Sequence, residues 1–178
     1  MKTLASHIMD IAENSIAAGA TKIEITVKED ITENLFYICI KDNGSGMDEA
    51  TLKKATDPFF TGRTVRRVGL GLPLFKQNAE RTGGRFEIKS RPNCGTEVTG
   101  CFILDHLDRP PLGDVANTIV IMAAANRSVH FIYTHSTPKG EFVFDTKKIK
   151  KVLDGVPMDN PEIFKALIEM IKEEINDI

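Results

Sequence analysis

The sequence predicts an α/β protein with one principal domain and a smaller C-terminal extension. Apolar residues at helical spacing open the chain. Period-two segments follow at once, and helices and strands then alternate to the C-terminus. At 178 residues, with 42% hydrophobic and 27% charged side chains, the chain can bury a substantial core and is too apolar to be disordered.

Residues 3–19 read as a helix, because Ile8, Ile11, Ala12, Ser15 and Ile16 recur at spacings of three and four and Gly19 offers a C-cap. Residues 22–28 alternate as a strand, residues 35–41 form a more apolar one, and the polar stretch 30–34 joins them as a hairpin. A turn at Asp42-Asn43-Gly44-Ser45-Gly46-Met47 leads into a short helix over 48–55. Residues 61–68 are arginine-rich and aperiodic and read as a loop. A helix fits 72–81, stopped by Gly83-Gly84, and strands at 85–90 and 96–104 flank the turn 91–95. Residues 105–114, with Pro110 and Pro111, read as a linker. A helix over 115–126 and a hairpin of 129–133 with 141–144 follow. A helix capped by Asp145 comes next, and a last one starts at Pro161, its first position. The apolar face of that last helix is expected to dock on the same chain, where burial carries no association cost.

A net charge of −2 gives no electrostatic case for nucleic acid or an anionic membrane surface. The longest apolar run, 118–125, falls far short of the roughly 20 residues that span a bilayer. The first fifteen residues, with Asp10 and Glu13, lack the apolar stretch of a signal peptide. Cys39, Cys94 and Cys101 show no metal-ligand spacing and cannot all pair. Together these features predict a cytoplasmic protein without a disulfide framework.

Five constellations carry chemistry. Asp10 and Asn14, four apart, share a helix face. An amide oxygen suits Mg²⁺, and a carboxylate one turn earlier can orient or deprotonate water; the same spacing also fits an exposed polar stripe. Asp42 with Gly44 and Gly46 follows an apolar strand. A buried carboxylate there can accept from the exocyclic amine of adenine, and the glycines permit close approach; an ordinary turn fits as well. Asp57-Pro58-Phe59-Phe60 can anchor a loop in the core. Gly69 and Gly71 open a helix whose amides can hold phosphate, though neither a Walker A loop nor a dinucleotide fingerprint is present. Arg63, Arg66 and Arg67 supply charge that can meet a γ-phosphate or remain solvated.

The ordered series Asn14, Asp42-x-Gly44-x-Gly46, Phe59-Phe60, Gly69-x-Gly71 and Gly95-Thr96 resembles the GHKL ATPase superfamily over residues 1–104. That superfamily includes DNA gyrase B, the Hsp90 chaperones, sensor histidine kinases and MutL proteins. The resemblance implies a two-layer α/β sandwich of the Bergerat type, a mixed sheet with helices on one face. It also implies ATP and Mg²⁺ as ligands. Asn14 would ligate Mg²⁺, Asp42 would hold the adenine amine, and Gly44 and Gly46 would shape the base pocket. Gly69 and Gly71 would approach the phosphates, Thr96 would lie near the adenine, and residues 61–68 with Arg63 would form a short lid. Glu13 to Ala20 looks like the MutL helix, whereas Asp57 to Thr61 and Gly69 to Leu72 look like sensor histidine kinases.

Hydrolysing members carry glutamate where this chain has Asp10, the candidate general base, shorter by one methylene. Thirteen residues precede Asn14, too few for a phosphoacceptor segment, so histidine-kinase autophosphorylation is not expected. The domain expectation is an ATP-binding domain at 1–104, a linker at 105–114 and a C-terminal module at 115–178 of unassigned role. The functional expectation is an ATP- and ADP-binding regulatory protein with a protein partner, compatible with homodimerisation. A stand-alone protein serine kinase of the anti-sigma-factor type and a slow ATPase driving dimer opening and closing are the alternatives.

Overall fold

The structure is a computed structural model that describes residues 3–57 and 70–178. Its elements in chain order are α1 (Leu4–Ala17), β1 (Lys22–Asp30), β2 (Leu35–Asp42), α2 (Glu49–Lys54), α3 (Gly71–Arg81), β3 (Arg85–Arg91) and β4 (Gly95–Ile103). They are followed by α4 (Val115–Ala125), β5 (His130–Thr137), β6 (Gly140–Asp145), α5 (Thr146–Leu153) and α6 (Pro161–Asp177). Each matches the segment expected from the sequence pattern to within a few residues. Asp145 accepts from Lys147 N and Lys148 N at the start of α5, and Pro161 opens α6 behind the cap Asn160. The expected loop at 61–68 and the anchor residues Phe59 and Phe60 lie outside the described residues.

The six strands form one mixed sheet in the order β3-β4-β2-β1-β5-β6. All neighbours run antiparallel except β1 and β5, which are parallel. Alternation puts one residue set on a single face: Ile23, Ile25 and Val27 from β1, Phe36, Ile38 and Ile40 from β2, Val98 and Phe102 from β4, and Phe131 and Tyr133 from β5. Helices α1, α3 and α4 cover that face. The opposite face carries charged rows such as Glu24, Lys41, Glu97 and Lys89, which are successive neighbours across four strands. A mixed sheet with helices on one face is the architecture the sequence predicted.

Residues beyond 104 are built into this framework. β5 pairs with β1 at the middle of the sheet. α4 has eight buried side chains because it lies between α1, β5 and α6. α6 docks on the same chain, as expected, burying Leu167 and Ile171 completely or nearly so. The 105–114 segment closes the start of α1. Leu4 N donates to the Pro111 carbonyl and Ala5 N to the Leu112 carbonyl, while the Thr3 hydroxyl caps Ser6 N.

Candidate functional site

Asp42 ends β2 on the buried face of the sheet, 9% exposed. Its carboxylate gathers donors from three segments. The Ser15 hydroxyl on α1 donates to Oδ2 at 2.6 Å, Gly44 N donates to Oδ1 at 2.8 Å, and Thr96 N at the start of β4 donates to Oδ1 at 3.2 Å. Ser15 is buried on the face of α1 that meets the sheet, and this turns its hydroxyl toward Asp42. Next door, Asn43 Oδ1 accepts from Thr21 N and Lys22 N, both at 2.9 Å, which fixes the loop against the start of β1.

Two glycines let the backbone close here. Gly46 and Gly95 have φ of 65° and 83°, and an added Cβ would lie 2.0 Å from the Arg91 carbonyl oxygen and 1.9 Å from that of Asp42. Ser90, on the inner face of β3 opposite Thr96, links the pieces. Its Oγ accepts from Met47 N at 2.8 Å, donates to the Gly95 carbonyl at 3.0 Å and lies 2.9 Å from Thr96 Oγ1. A cavity of about 650 Å³ opens at this corner, and Asp42, Leu52, Ile88, Ser90, Gly95 and Thr96 are among its lining residues. That is the size of a small-molecule site.

Two of the other predicted residues, Asp10 and Gly71, meet where α1 packs on α3. Asp10 and Asn14 lie one turn apart on α1, both half-buried. Gly71, the first residue of α3, packs so closely on Asp10 that a Cβ there would sit 3.0 Å from the Asp10 Cβ and 3.3 Å from its Oδ2. Burial holds the Asp10 carboxyl above the ordinary aspartate range. The Asn14 side chain has no hydrogen-bond partner among the described residues. The Leu70 side chain does not cap α3, and Pro73 has no N–H, so Gly71 and Leu72 carry the first amides of that helix. Arg63 and Gly69 lie outside the described residues.

His7, one turn before Asp10, is fully buried and bridges the two helices. Its Nε2 is 2.9 Å from Asn78 Nδ2 and its ring packs at 5.5 Å from that of Phe75. Burial pushes the imidazole down to about 4, although the Gly71 backbone beside it acts in the opposite direction. Among the described residues its Nδ1 is the buried side-chain polar atom without a hydrogen-bond partner.

Sequence reasoning placed Asp42, Gly44, Gly46 and Thr96 together, and the structure joins them in one corner. Asp10 meets Gly71 where α1 packs on α3, and Asn14 follows one turn further along α1. The sequence reading missed the roles of Ser15, Ser90 and Met47. A signal for Ser90 existed, because it follows Phe86 and Ile88 in the alternation of β3 and is the polar residue in an apolar row.

Residues 2–107 match the family model described as histidine kinase-, DNA gyrase B-, and HSP90-like ATPase. The chain belongs to this family, the GHKL ATPase superfamily, and carries its ATPase-type domain. It is 34% identical over 113 residues to the sensor protein kinase FleS of Pseudomonas aeruginosa, covering 64% of this chain and 27% of that protein. It is 34% identical over 115 residues to the tetrathionate sensor histidine kinase TtrS of Salmonella typhimurium, covering 62% of this chain and 19% of the relative. The chain thus spans about a quarter or less of the length of these curated relatives. The fold is similar to a crystal structure of the N-terminal domain of a DNA repair protein, with a TM-score of 0.58 at 18% identity over 80% of this chain and 52% of that one. Among the described residues, no helix is long and apolar enough to cross a membrane.

Proposed function

We propose that this chain binds ATP together with Mg²⁺ and acts as a nucleotide-dependent regulatory protein. The observation that carries the reading is the Asp42 corner. A carboxylate has about four lone-pair directions. Ser15, Gly44 and Thr96 occupy three, and the remaining one suits the exocyclic amine of adenine. A guanine carbonyl in that position would set acceptor against acceptor in a desolvated place, a costly mismatch.

The phosphates would lie toward Gly71, where the uncapped start of α3 offers amides to an anion. The residues there also fit Mg²⁺. Asn14 is half-buried and its side chain has no partner among the described residues, and Mg²⁺ commonly takes one or two protein oxygens and completes its shell with water and phosphate oxygens. Bound there, the ion would neutralise phosphate charge. No group of three or more His, Cys, Asp or Glu among the described residues could hold a metal by itself.

A second reading, slow hydrolysis with Asp10 as base, draws on one specific observation. Asp10 lies against Gly71 with its carboxyl raised by burial, which makes it a better proton acceptor once ionised. The shorter side chain counts the other way, since a base displaced by about 1 Å can lose two orders of magnitude in rate.

Purified protein incubated with γ-labelled ATP and Mg²⁺, beside Asp42→Asn, tests both readings. Binding in the wild type, lost in the variant, supports the nucleotide site. Phosphate release that Asp10→Asn abolishes while affinity survives supports hydrolysis. Equal ATP binding by the wild type and Asp42→Asn would overturn the assignment of the base pocket.

A further inference from the structure

Ser90 belongs to none of the motifs that placed the site, yet its hydroxyl joins three parts of the base corner. We propose that Ser90 is a positioning residue that leaves the Asp42 and Thr96 side chains presenting only acceptors to a cavity that Lys41, Lys89 and Arg91 also line, and thereby selects a 6-aminopurine nucleotide over its 6-oxo analogue. The inference rests on the assignment of Asp42 to the base.

Proton bookkeeping carries it. A serine hydroxyl has one proton and two lone pairs. The Ser90 proton goes to the Gly95 carbonyl, and one lone pair accepts from Met47 N. Toward Thr96 Oγ1, 2.9 Å away, Ser90 therefore has only an acceptor left, so the Thr96 hydroxyl is the donor of that bond. With its proton spent on Ser90, Thr96 Oγ1 presents lone pairs to the cavity it lines. Asp42, on the same cavity, presents a carboxylate whose other bonds are accepted from Ser15, Gly44 and Thr96. The corner thus offers acceptors from two side chains. The 6-amino group carries two hydrogens, whereas a 6-oxo group carries none and would face lone pairs on both sides.

Without the Ser90 hydroxyl, Thr96 is released. Its proton can rotate into the cavity and donate to a carbonyl, so the wall loses its fixed polarity. The Met47 amide loses its partner as well, but a loosened loop would weaken every purine nucleotide alike. A change in preference between purines is therefore the signature of the proposed role.

The test measures Kd for ATP and inosine triphosphate, with Mg²⁺, for the wild type, Ser90→Ala and Ser90→Thr. The two nucleotides differ at position 6 of the base and in the accompanying N1 proton. The wild type is expected to prefer ATP. Ser90→Ala is expected to lower that preference by about tenfold or more, and Ser90→Thr, which keeps the hydroxyl beside an open cavity, to restore it. Melting curves without nucleotide check that each variant folds. An unchanged preference in a folded Ser90→Ala, or weakening of both nucleotides by the same factor, would overturn the proposal while leaving the Asp42 assignment standing. Absence of ATP binding in the wild type would overturn both.

Discussion

Near the C-terminal end of α1, Ser15 helps to hold an Asp42 carboxylate that also accepts two backbone amides. Five residues earlier, Asp10 lies against Gly71, and Asn14, beside Ser15 in the chain, has a side chain without a hydrogen-bond partner among the described residues. The Asp42 corner is therefore largely built within the chain itself, with three bonds made to its carboxylate and its backbone locked by two left-handed glycines. The α1–α3 junction presents groups whose hydrogen-bonding capacity is unspent. On the proposed reading, the contrast separates recognition from chemistry. Discrimination between bases needs a wall that does not move, whereas a phosphate–metal site can take much of its order from the ligand.

The largest expected effect comes from breaking the Asp42 corner at its backbone. Gly95→Ala forces a Cβ onto the Asp42 carbonyl at a φ that disfavours side chains. The expected cost is at least about 3 kcal/mol, a fall in melting temperature of about 10 °C. A variant that melts with the wild type would show that the corner yields. The α1–α3 junction has its own weak point in His7. Its folded pKa, lowered to about 4, lies below the ordinary 6.5, so the unfolded chain takes up the proton first. Stability is complete above about pH 6.5 and falls as pH drops toward 4, by up to about 3 kcal/mol. Denaturant midpoints at several pH values should show this slope, and His7→Gln should flatten it. A residual slope is expected from His135, whose pKa burial also lowers.

Asp42→Asn acts on binding. It replaces an acceptor with an amide that can turn a donor toward the adenine amine, and ATP affinity should weaken by about 100-fold in a chain that still melts cooperatively. Calorimetric titration reads this directly; a loss of less than tenfold would mean that the base is read elsewhere. The smallest effect is expected at Asp10. Its folded pKa is raised, so its charged form is disfavoured and stability falls as pH rises from the ordinary aspartate pKa through the raised one. Asp10→Asn removes that penalty. A melting temperature higher by on the order of 1 °C at neutral pH is expected, together with loss of any phosphate release. A lower melting temperature would show that the carboxylate stabilises the α1–α3 contact.

Much of this was legible in the sequence because it is written in local pattern. Ile23, Ile25 and Val27 alternate, the apolar stripe of α1 has helical spacing, and Asp145 and Asn160 cap helices that follow at once. Asp42, Gly44 and Gly46 by themselves fit an ordinary turn as well; their place in the ordered motif series that resembles the GHKL superfamily is what marked them as a candidate base pocket. What stayed hidden is non-local. Nothing in β5 announces that it pairs in parallel with β1, more than a hundred residues earlier. Ser15 read as one more small residue on an apolar face, since its partner Asp42 lies 27 positions away. Nothing in the local pattern marks His7, and only its packing against Phe75 and Asn78 shows it to be fully enclosed.

The position of β5 bears on where this chain can be cut or fused. The family match ends at 107, a natural place to trim an expression clone. The sheet runs on past that point. Trimming there would strip β1 of a neighbour along Lys22–Lys28, leave an open strand edge in the heart of the protein, and take away the carbonyls of Pro111 and Leu112 that close the start of α1. A shortened clone of this kind is expected to be poorly soluble, and tags or fusion partners belong at the termini, outside the span from Thr3 to Asp177.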